Sequence, residues 1–259
     1  MSAIARARPL LAAFVSLACA GALHAEDDAP SVTPYRPTVS NPADLPVPGW
    51  LELELGASRQ TEAGGTRTDT LPWLLKYAFD ADHGILVGGN AFTRVALRGS
   101  ASSGIGDTLL EYKQRYALRE GVAFGVEAGL EAPTARDDLG IDGTAWLVNG
   151  IFSADLGATH LDLNAGGTHF ASAPQHASHW QSAWAAALSH PLGEAFGVAA
   201  EISGSAQRRA QHAHQALTAL NYNVSHRCVL DLGIAYGLDR RQHDHDVFFG
   251  GTFLLGRVR

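Results

Sequence analysis

The most informative ten residues of this chain are 122–131, which read VAFGVEAGLE. The apolar set is Val122, Phe124, Val126, Ala128 and Leu130, and it alternates with a set that includes Gly125, Glu127, Gly129 and Glu131. A β-strand directs successive side chains to opposite faces of its sheet. The stretch therefore predicts a strand with one apolar face and one face of small and charged residues.

The same period of two continues along the chain from Trp50 onward. It divides the chain into about twelve segments, and each can supply the ~9–11 residues that a tilted strand needs to cross a bilayer. The segments are roughly 50–64, 67–80, 85–99, 104–118, 121–134, 143–156, 158–172, 179–190, 194–207, 213–224, 227–239 and 246–258.

The connections between these segments alternate in length. Those after the even-numbered segments are short, at 81–84, 119–121, 157, 191–194 and 225–226. Those after the odd-numbered segments are mostly longer and polar, as at 135–142, 172–178, 208–212 and 240–245. An even strand count with short turns at one end and long loops at the other is typical of bacterial outer-membrane barrels. We therefore predict an all-β, antiparallel transmembrane barrel over residues 49–259, with periplasmic termini.

A soluble β-sandwich is the rival interpretation, because it also alternates apolar and polar residues. Segments of ~13 residues are long for a sandwich, whose strands usually have about five or six. The face that would meet water is rich in glycine and alanine, and only 17% of all residues are charged. Both features favour the barrel.

The charge balance limits the function classes. Lysine and arginine total 19 against 26 acidic residues, for a net charge of -7. This balance argues against a nucleic-acid partner, since such proteins present basic surfaces. After the N-terminus no run of about 18 apolar residues predicts a transmembrane helix.

Residues 1–25 have the organisation of a cleaved signal peptide. Arg6 and Arg8 precede an apolar region from Leu10 to Leu23, and Ala25 supplies the small residue before the cleavage site. Cleavage would remove Cys19, one of the two cysteines of the chain, so no internal disulfide is expected. We therefore expect export to the outer membrane of a Gram-negative bacterium.

Residues 26–48 form a proline-rich lead-in, with prolines at 30, 34, 37, 42, 46 and 48. Proline lacks an N–H donor, so the stretch is unsuited to a central strand or a helix. It is either a flexible periplasmic tail or a plug that folds back into the barrel mouth.

Several motifs resemble one family, the outer-membrane proteins grouped under the meta-pathway of phenol degradation. The matching stretches are Tyr35-Arg36-Pro37, Pro46 to Glu54, Gly104-Ile105-Gly106-Asp107 with Leu110, Tyr112-Lys113 and Arg115-Tyr116, and Leu130 to Thr134. The resemblance implies an outer-membrane barrel that transports small, often aromatic, compounds, and it brings no catalytic residues. The chain departs from the usual aromatic end of such barrels, because its last residues are Gly256, Arg257, Val258 and Arg259.

The predicted inward face carries most of the charge. Its candidate lumen-lining residues are Glu52, Glu54, Lys76, Arg94, Arg98, Asp107, Glu111, Lys113, Arg115, Glu127, Glu131, Asp162, Glu201 and Asp231. An arginine or lysine facing lipid at mid-depth would cost ~2–4 kcal/mol, which favours the lumen for all of them. They form either a charged constriction that filters solutes or an ion-pair network that fills a narrow barrel.

Histidines are frequent in the predicted loops, and His243 and His245 stand beside Asp244 and Asp246. Such residues can hold a transition metal, but no fixed ligand spacing is present, so these two are only weak metal candidates. The sequence contains no Gly-x-Ser-x-Gly motif of the kind that indicates a hydrolase. We expect no cofactor and no catalytic site.

Taken together, the patterns favour a channel or transporter for passive passage of small compounds, with aromatic or hydrophobic compounds included. The expected partners are outer-membrane lipids and a small solute. Two alternatives stay open, a barrel enzyme acting on lipids and a non-transporting structural or binding barrel.

Overall fold

The computed structural model describes residues 30–136, 138–174, 176–210, 212–239 and 244–258, so the predicted signal peptide lies outside the described residues. The described chain forms thirteen strands and no helix that could span a bilayer. The strands are β1 (Trp50–Thr61), β2 (Arg67–Ala78), β3 (His83–Leu97), β4 (Ser100–Gly104), β5 (Thr108–Arg119), β6 (Val122–Ala132), β7 (Ala145–Leu156), β8 (Thr159–Phe170), β9 (Trp180–Leu192), β10 (Phe196–Gln207), β11 (His212–Ser225), β12 (Cys228–Gly237) and β13 (His245–Arg257).

The strands close into one antiparallel barrel. Neighbours in the chain pair with each other, and β1 pairs with β13 along its whole length, from Trp50 opposite Arg257 to Thr61 opposite His245. β3 pairs with β5 over one half and with β4 over the other, so β4 and β5 share one position in the wall. Twelve positions result, which confirms the predicted all-β barrel and its strand number.

The predicted segment 104–118 differs from the structure at its start. The chain leaves the sheet over 105–107, and β5 begins only at Thr108. Here the Gly106 N–H donates to the Asn90 carbonyl at 2.8 Å. A β-carbon at Gly106 would lie 2.7 Å from the Asn90 β-carbon, so only glycine permits this close approach.

The two ends of the barrel have different connections. At one end, named the turn end, the connections are 79–82, 120–121, 157–158, 193–195 and 226–227. At the other, named the loop end, 133–144, 171–179 and 238–244 are longer. This asymmetry agrees with the alternation seen in the sequence.

The faces of the wall are reversed relative to a soluble protein. Lys76, Lys113 and Glu127 are buried inside, whereas Leu163 and Leu232 are exposed outside. Inward positions carry the small and charged residues because the strand period is two. The barrel thus presents an apolar exterior and a polar lumen.

Aromatic side chains lie on the outer face near both ends. At the loop end Trp146, His169 and Trp180 stand opposite one another on β7, β8 and β9. At the turn end the Phe196 and Tyr222 rings lie 5.1 Å apart. Aromatic girdles at two levels are characteristic of outer-membrane barrels.

Candidate functional site: the lumen and its inner segment

Residues 30–49, here named the inner segment, lie inside the barrel. The Val32 N–H donates to the His226 carbonyl in a turn-end connection, and the Gly49 N–H donates to the Ala78 carbonyl at the same end. Between these anchors the segment forms hydrogen bonds with β1, β2, β5, β6, β7, β8, β10 and β12. Because those strands lie on all sides of the barrel, the segment forms a U-shaped loop within the lumen.

Two carboxylates of β1 accept hydrogen bonds from the outgoing arm of the U, the part of the inner segment that leads from the turn end to the bend. The Thr33 N–H lies 3.1 Å from both carboxylate oxygens of Glu52, and the Tyr35 N–H donates to Glu54 at 2.7 Å. A proline-rich segment has few N–H groups, and buried ones need acceptors. These two wall residues supply them.

The bend of the U lies at mid-height in the wall. The Val39 and Ser40 N–H groups donate to one oxygen of Glu201, at 2.9 and 2.8 Å. The Asn41 side-chain amide donates at 3.0 Å to Glu127 on β6, four strands away along the wall. Two wall carboxylates therefore hold the bend from two sides.

Tyr35 lies between two lysines. The Lys76 and Lys113 ammonium groups each lie 4.0 Å from the centroid of its ring, one cation–π contact on each side. The Tyr35 hydroxyl donates to the Asp44 carbonyl at 2.8 Å and so joins the two arms. Burial, together with the nearby carboxylates of which Glu127 contributes most, raises the pKa of Tyr35 well above its usual value, so the hydroxyl remains a donor.

Both lysines are also neutralised by the wall. Lys76 pairs with Glu52 at 3.2 Å and with Glu54 at 2.7 Å, and Lys113 pairs with Glu127 at 3.0 Å. Each ammonium group donates a further 2.5 Å hydrogen bond to a carbonyl of the inner segment. Buried ion pairs are stable only when their remaining donors are satisfied, and here the inner segment completes the set.

A third cation comes from the inner segment itself. The Arg36 guanidinium donates twice to Asp231, at 3.0 and 2.8 Å. It lies against the inner face of the wall at Gly56 and Gly250, where an added β-carbon would lie 2.6 and 2.7 Å from guanidinium nitrogens. This glycine pair, opposed across β1 and β13, makes room for the arginine.

Two further candidates are placed near the returning arm. Arg115 pairs with Asp44 at 2.7 Å. Asp162 accepts a hydrogen bond from the Ser153 hydroxyl and lies 3.2 Å from a ring nitrogen of His160.

Asp107, Glu111 and Glu131 form no hydrogen bond or ion pair with the inner segment in the described part of the chain. Asp107 accepts from the Ala135 and Ile141 N–H groups at 3.0 and 2.7 Å, which draws the 133–144 loop onto the barrel. Glu111 is buried and Glu131 is half-buried, and neither forms a side-chain hydrogen bond within the described residues.

Arg94 and Arg98 are not lumen residues, which corrects their predicted placement. A bulge inserts Ala91, since Asn90 opposes Pro72 while Phe92 opposes Leu71. One extra residue reverses the faces beyond it. Arg94 therefore points outward, and Arg98 lies exposed in the β3–β4 turn with a φ of 48°.

Two cavities flank the inner segment. The larger, of about 430 Å³, occupies the loop end above the bend, where Val39 is 58% exposed. Small uncharged side chains dominate its wall, among them Thr168, Ala183, Ser203 and Ala235. The smaller, of about 260 Å³, lies between the two arms and the wall of β8 to β11. The bend separates the two spaces.

The weak metal candidates are not assembled into a site in the described part of the chain. His245 is exposed at the start of β13, and His243 lies outside the described residues. No group of three potential ligands lies together among the residues that the structure covers.

Sequence reasoning missed the partners that the inner segment uses. Asn164, Ser153 and Asp44 carry no motif, and their role depends on which strands face one another across the lumen. Gly56 and Gly250 left a weak signal, since both are inward glycines, but their pairing follows only from the closure of β1 on β13.

No family model matches the chain, and no curated protein matches it. The grouping with the phenol meta-pathway therefore stays a prediction. Solved structures do match. An outer membrane channel from Pseudomonas putida F1 has a TM-score of 0.64 and 11% identity, covering 90% of this chain and 100% of that chain.

Two other barrels are similar. The NanC porin has a TM-score of 0.59 and 11% identity, covering 78% of this chain and all of the porin. The CymD monoaromatic hydrocarbon channel has a TM-score of 0.51 and 10% identity, covering 82% of this chain and 90% of the channel. At these identities the likeness establishes a shared outer-membrane barrel fold.

Proposed function

We propose that this chain is an outer-membrane channel for passive passage of small compounds, and that its inner segment closes the lumen at rest. The observation that carries the proposal is the U-shaped inner segment, which separates two cavities within a closed barrel. A barrel that served only as a structural element would have no need for a lumen divided in this way.

Placement in the outer membrane of a Gram-negative bacterium, after export through a cleaved signal peptide at 1–25, is part of the proposal. The apolar exterior and the aromatic rows at both ends support it. In this orientation the turn end faces the periplasm and the loop end faces outward.

The nature of the solute follows from the loop-end cavity. Its walls carry mostly small uncharged groups, and its volume falls within the range of about 300–1,000 Å³ that is usual for small-molecule sites. An ion would have to give up part of its hydration shell to enter such a space, whereas a neutral solute has no such cost. Small aromatic and hydrophobic compounds fit it best, and the similarity in fold to a monoaromatic hydrocarbon channel supports the same class.

The inner segment has to move for a solute to pass, because its bend separates the two cavities. The contacts that hold the segment are hydrogen bonds and ion pairs, and water can replace them when the segment withdraws. The segment carries one charge of each sign, Arg36 and Asp44, so the lumen that remains keeps its excess of carboxylates over cations.

The test is single-channel conductance in planar bilayers for the full chain and for a variant lacking residues 28–45. Deletion should raise the conductance, because the wall of the lumen stays intact while the U is removed. A folded deletion variant, shown by heat-modifiable migration, that conducts like the full chain would refute closure by the inner segment.

A further inference from the structure

Four charged residues form a cluster on β1, β2 and β3 near the loop end, here named the rim cluster: Arg59, Arg67, Asp69 and Arg94. Asp69 stands directly opposite Arg59 on one side and Arg94 on the other. Arg67 stands opposite Thr61 and Ala96, two residues nearer the loop end. Residues opposed across strands share one face of the sheet.

That face is the outer one. The neighbouring residues Ser58 and Thr70 share a 2.9 Å hydrogen bond between their hydroxyls on the inner face, and Gln60 lines the loop-end cavity. Because strands alternate, Arg59 and Asp69 between them point away from the lumen. Arg94 joins them because of the bulge at Ala91.

The rim cluster has more cations than its own aspartate neutralises. Arg59 donates to Asp69 at 2.5 Å, and the Arg94 guanidinium lies 3.7 Å from the other oxygen of Asp69. Arg67 has no ion pair within the described residues. The side chains of Arg59 and Arg94 are 54% and 32% exposed, whereas that of Asp69 is 15% exposed. Asp69 therefore positions two guanidiniums that still have free donors facing outward.

The rim cluster lies at the edge of the apolar belt. The next outward row toward the turn end consists of Ala57, Leu71, Phe92 and Phe249. Arginines at this level meet lipid headgroups, where a charged side chain has a small cost. The outer leaflet of an outer membrane is built from phosphorylated glycolipids, and guanidinium groups bind phosphate through paired hydrogen bonds.

We propose that the rim cluster binds a phosphate group on the headgroup of an outer-leaflet glycolipid. The inference rests on the proposed outer-membrane placement and is independent of whether the lumen conducts. Arg59 and Arg94 are the phosphate ligands, Arg67 adds charge at the rim, and Asp69 orients the first two.

The test uses the full chain in nonionic detergent, with diphosphoryl lipid A as the probe and native mass spectrometry as the readout. The same acylated sugar without phosphates is the matched ligand. R59Q/R94Q should weaken binding of the diphosphoryl form by at least about tenfold, the loss expected from a single charge-assisted hydrogen bond at the lower end of its usual range. D69N should bind at least as well as the native chain, because the amide oxygen can still accept from Arg59 and hold it in place while the competing negative charge is gone. R208Q, in an exposed loop-end connection, is the control and should bind normally.

Equal binding of both lipids, or unchanged binding by folded R59Q/R94Q, would overturn the proposal. So would displacement by inorganic phosphate at the same concentration as lipid A, since this would indicate a free-anion site. Two further observations separate this proposal from the membrane placement. A chain that stays soluble without detergent would refute the membrane placement. A chain that is folded, as shown by heat-modifiable migration, and has no preference between the two lipids would refute only this site.

Discussion

Arg36 contributes the most specific contact between the inner segment and the wall. Its guanidinium forms two hydrogen bonds with the Asp231 carboxylate, and Gly56 and Gly250 leave the space for it. Asp231 is buried beneath the arginine. Loss of one partner of such a pair leaves the other charge without compensation, which is more destabilising than loss of both.

R36A should therefore loosen the inner segment by about 1.5–3 kcal/mol, the usual value of a hydrogen bond to a charged group. Hydrogen–deuterium exchange of residues 30–49 should become faster by at least about tenfold, which is the lower end of that range. R36A/D231A should recover part of the protection, because no buried charge is then unpaired. R208A serves as the control. Unchanged exchange in R36A would show that the ion pair does not hold the segment.

At the scale of the strands, the alternation of side chains separates lipid from lumen. The twelve segments and the two kinds of connection were predictable, because both depend on local pattern. The bulge at Ala91 was not, since a bulge appears only when β3 is aligned with β2, and it moved Arg94 from the lumen to the outer face. The break at 105–107 likewise depends on the contact between Gly106 and Asn90.

Arginine should be tolerated very differently on the two faces. Leu232 lies mid-strand on β12 and is 56% exposed to the exterior, so L232R should cost ~2–4 kcal/mol in a bilayer. S205R places the same side chain in the loop-end cavity, where water is accessible, and should cost much less. The free energy of unfolding in lipid vesicles measures both. Similar losses for the two variants would contradict the assignment of the faces.

At the scale of the whole molecule, a closed barrel encloses a segment that the sequence describes only as rich in proline. Composition predicts that residues 26–48 do not form a central strand, and it leaves both a tail and a plug open. The partners that hold residues 30–49 come from eight different strands, so no local pattern could reveal them. Five of the nine carboxylates predicted to line the lumen accept hydrogen bonds from this segment.

The central claim is that the inner segment must move for the channel to open. A disulfide between the inner segment, just after its bend, and the wall tests it, because a β-carbon at Gly125 would lie 3.4 Å from that of Ala43, close to the separation of about 3.8 Å that disulfides prefer. Single-channel conductance of A43C/G125C is recorded after oxidation and again after reduction, with A43C and G125C alone as controls. We predict that the oxidised form stays closed and that reduction restores the conductance of the native chain. Equal conductance in both states, with the disulfide verified by mass spectrometry, would contradict the account.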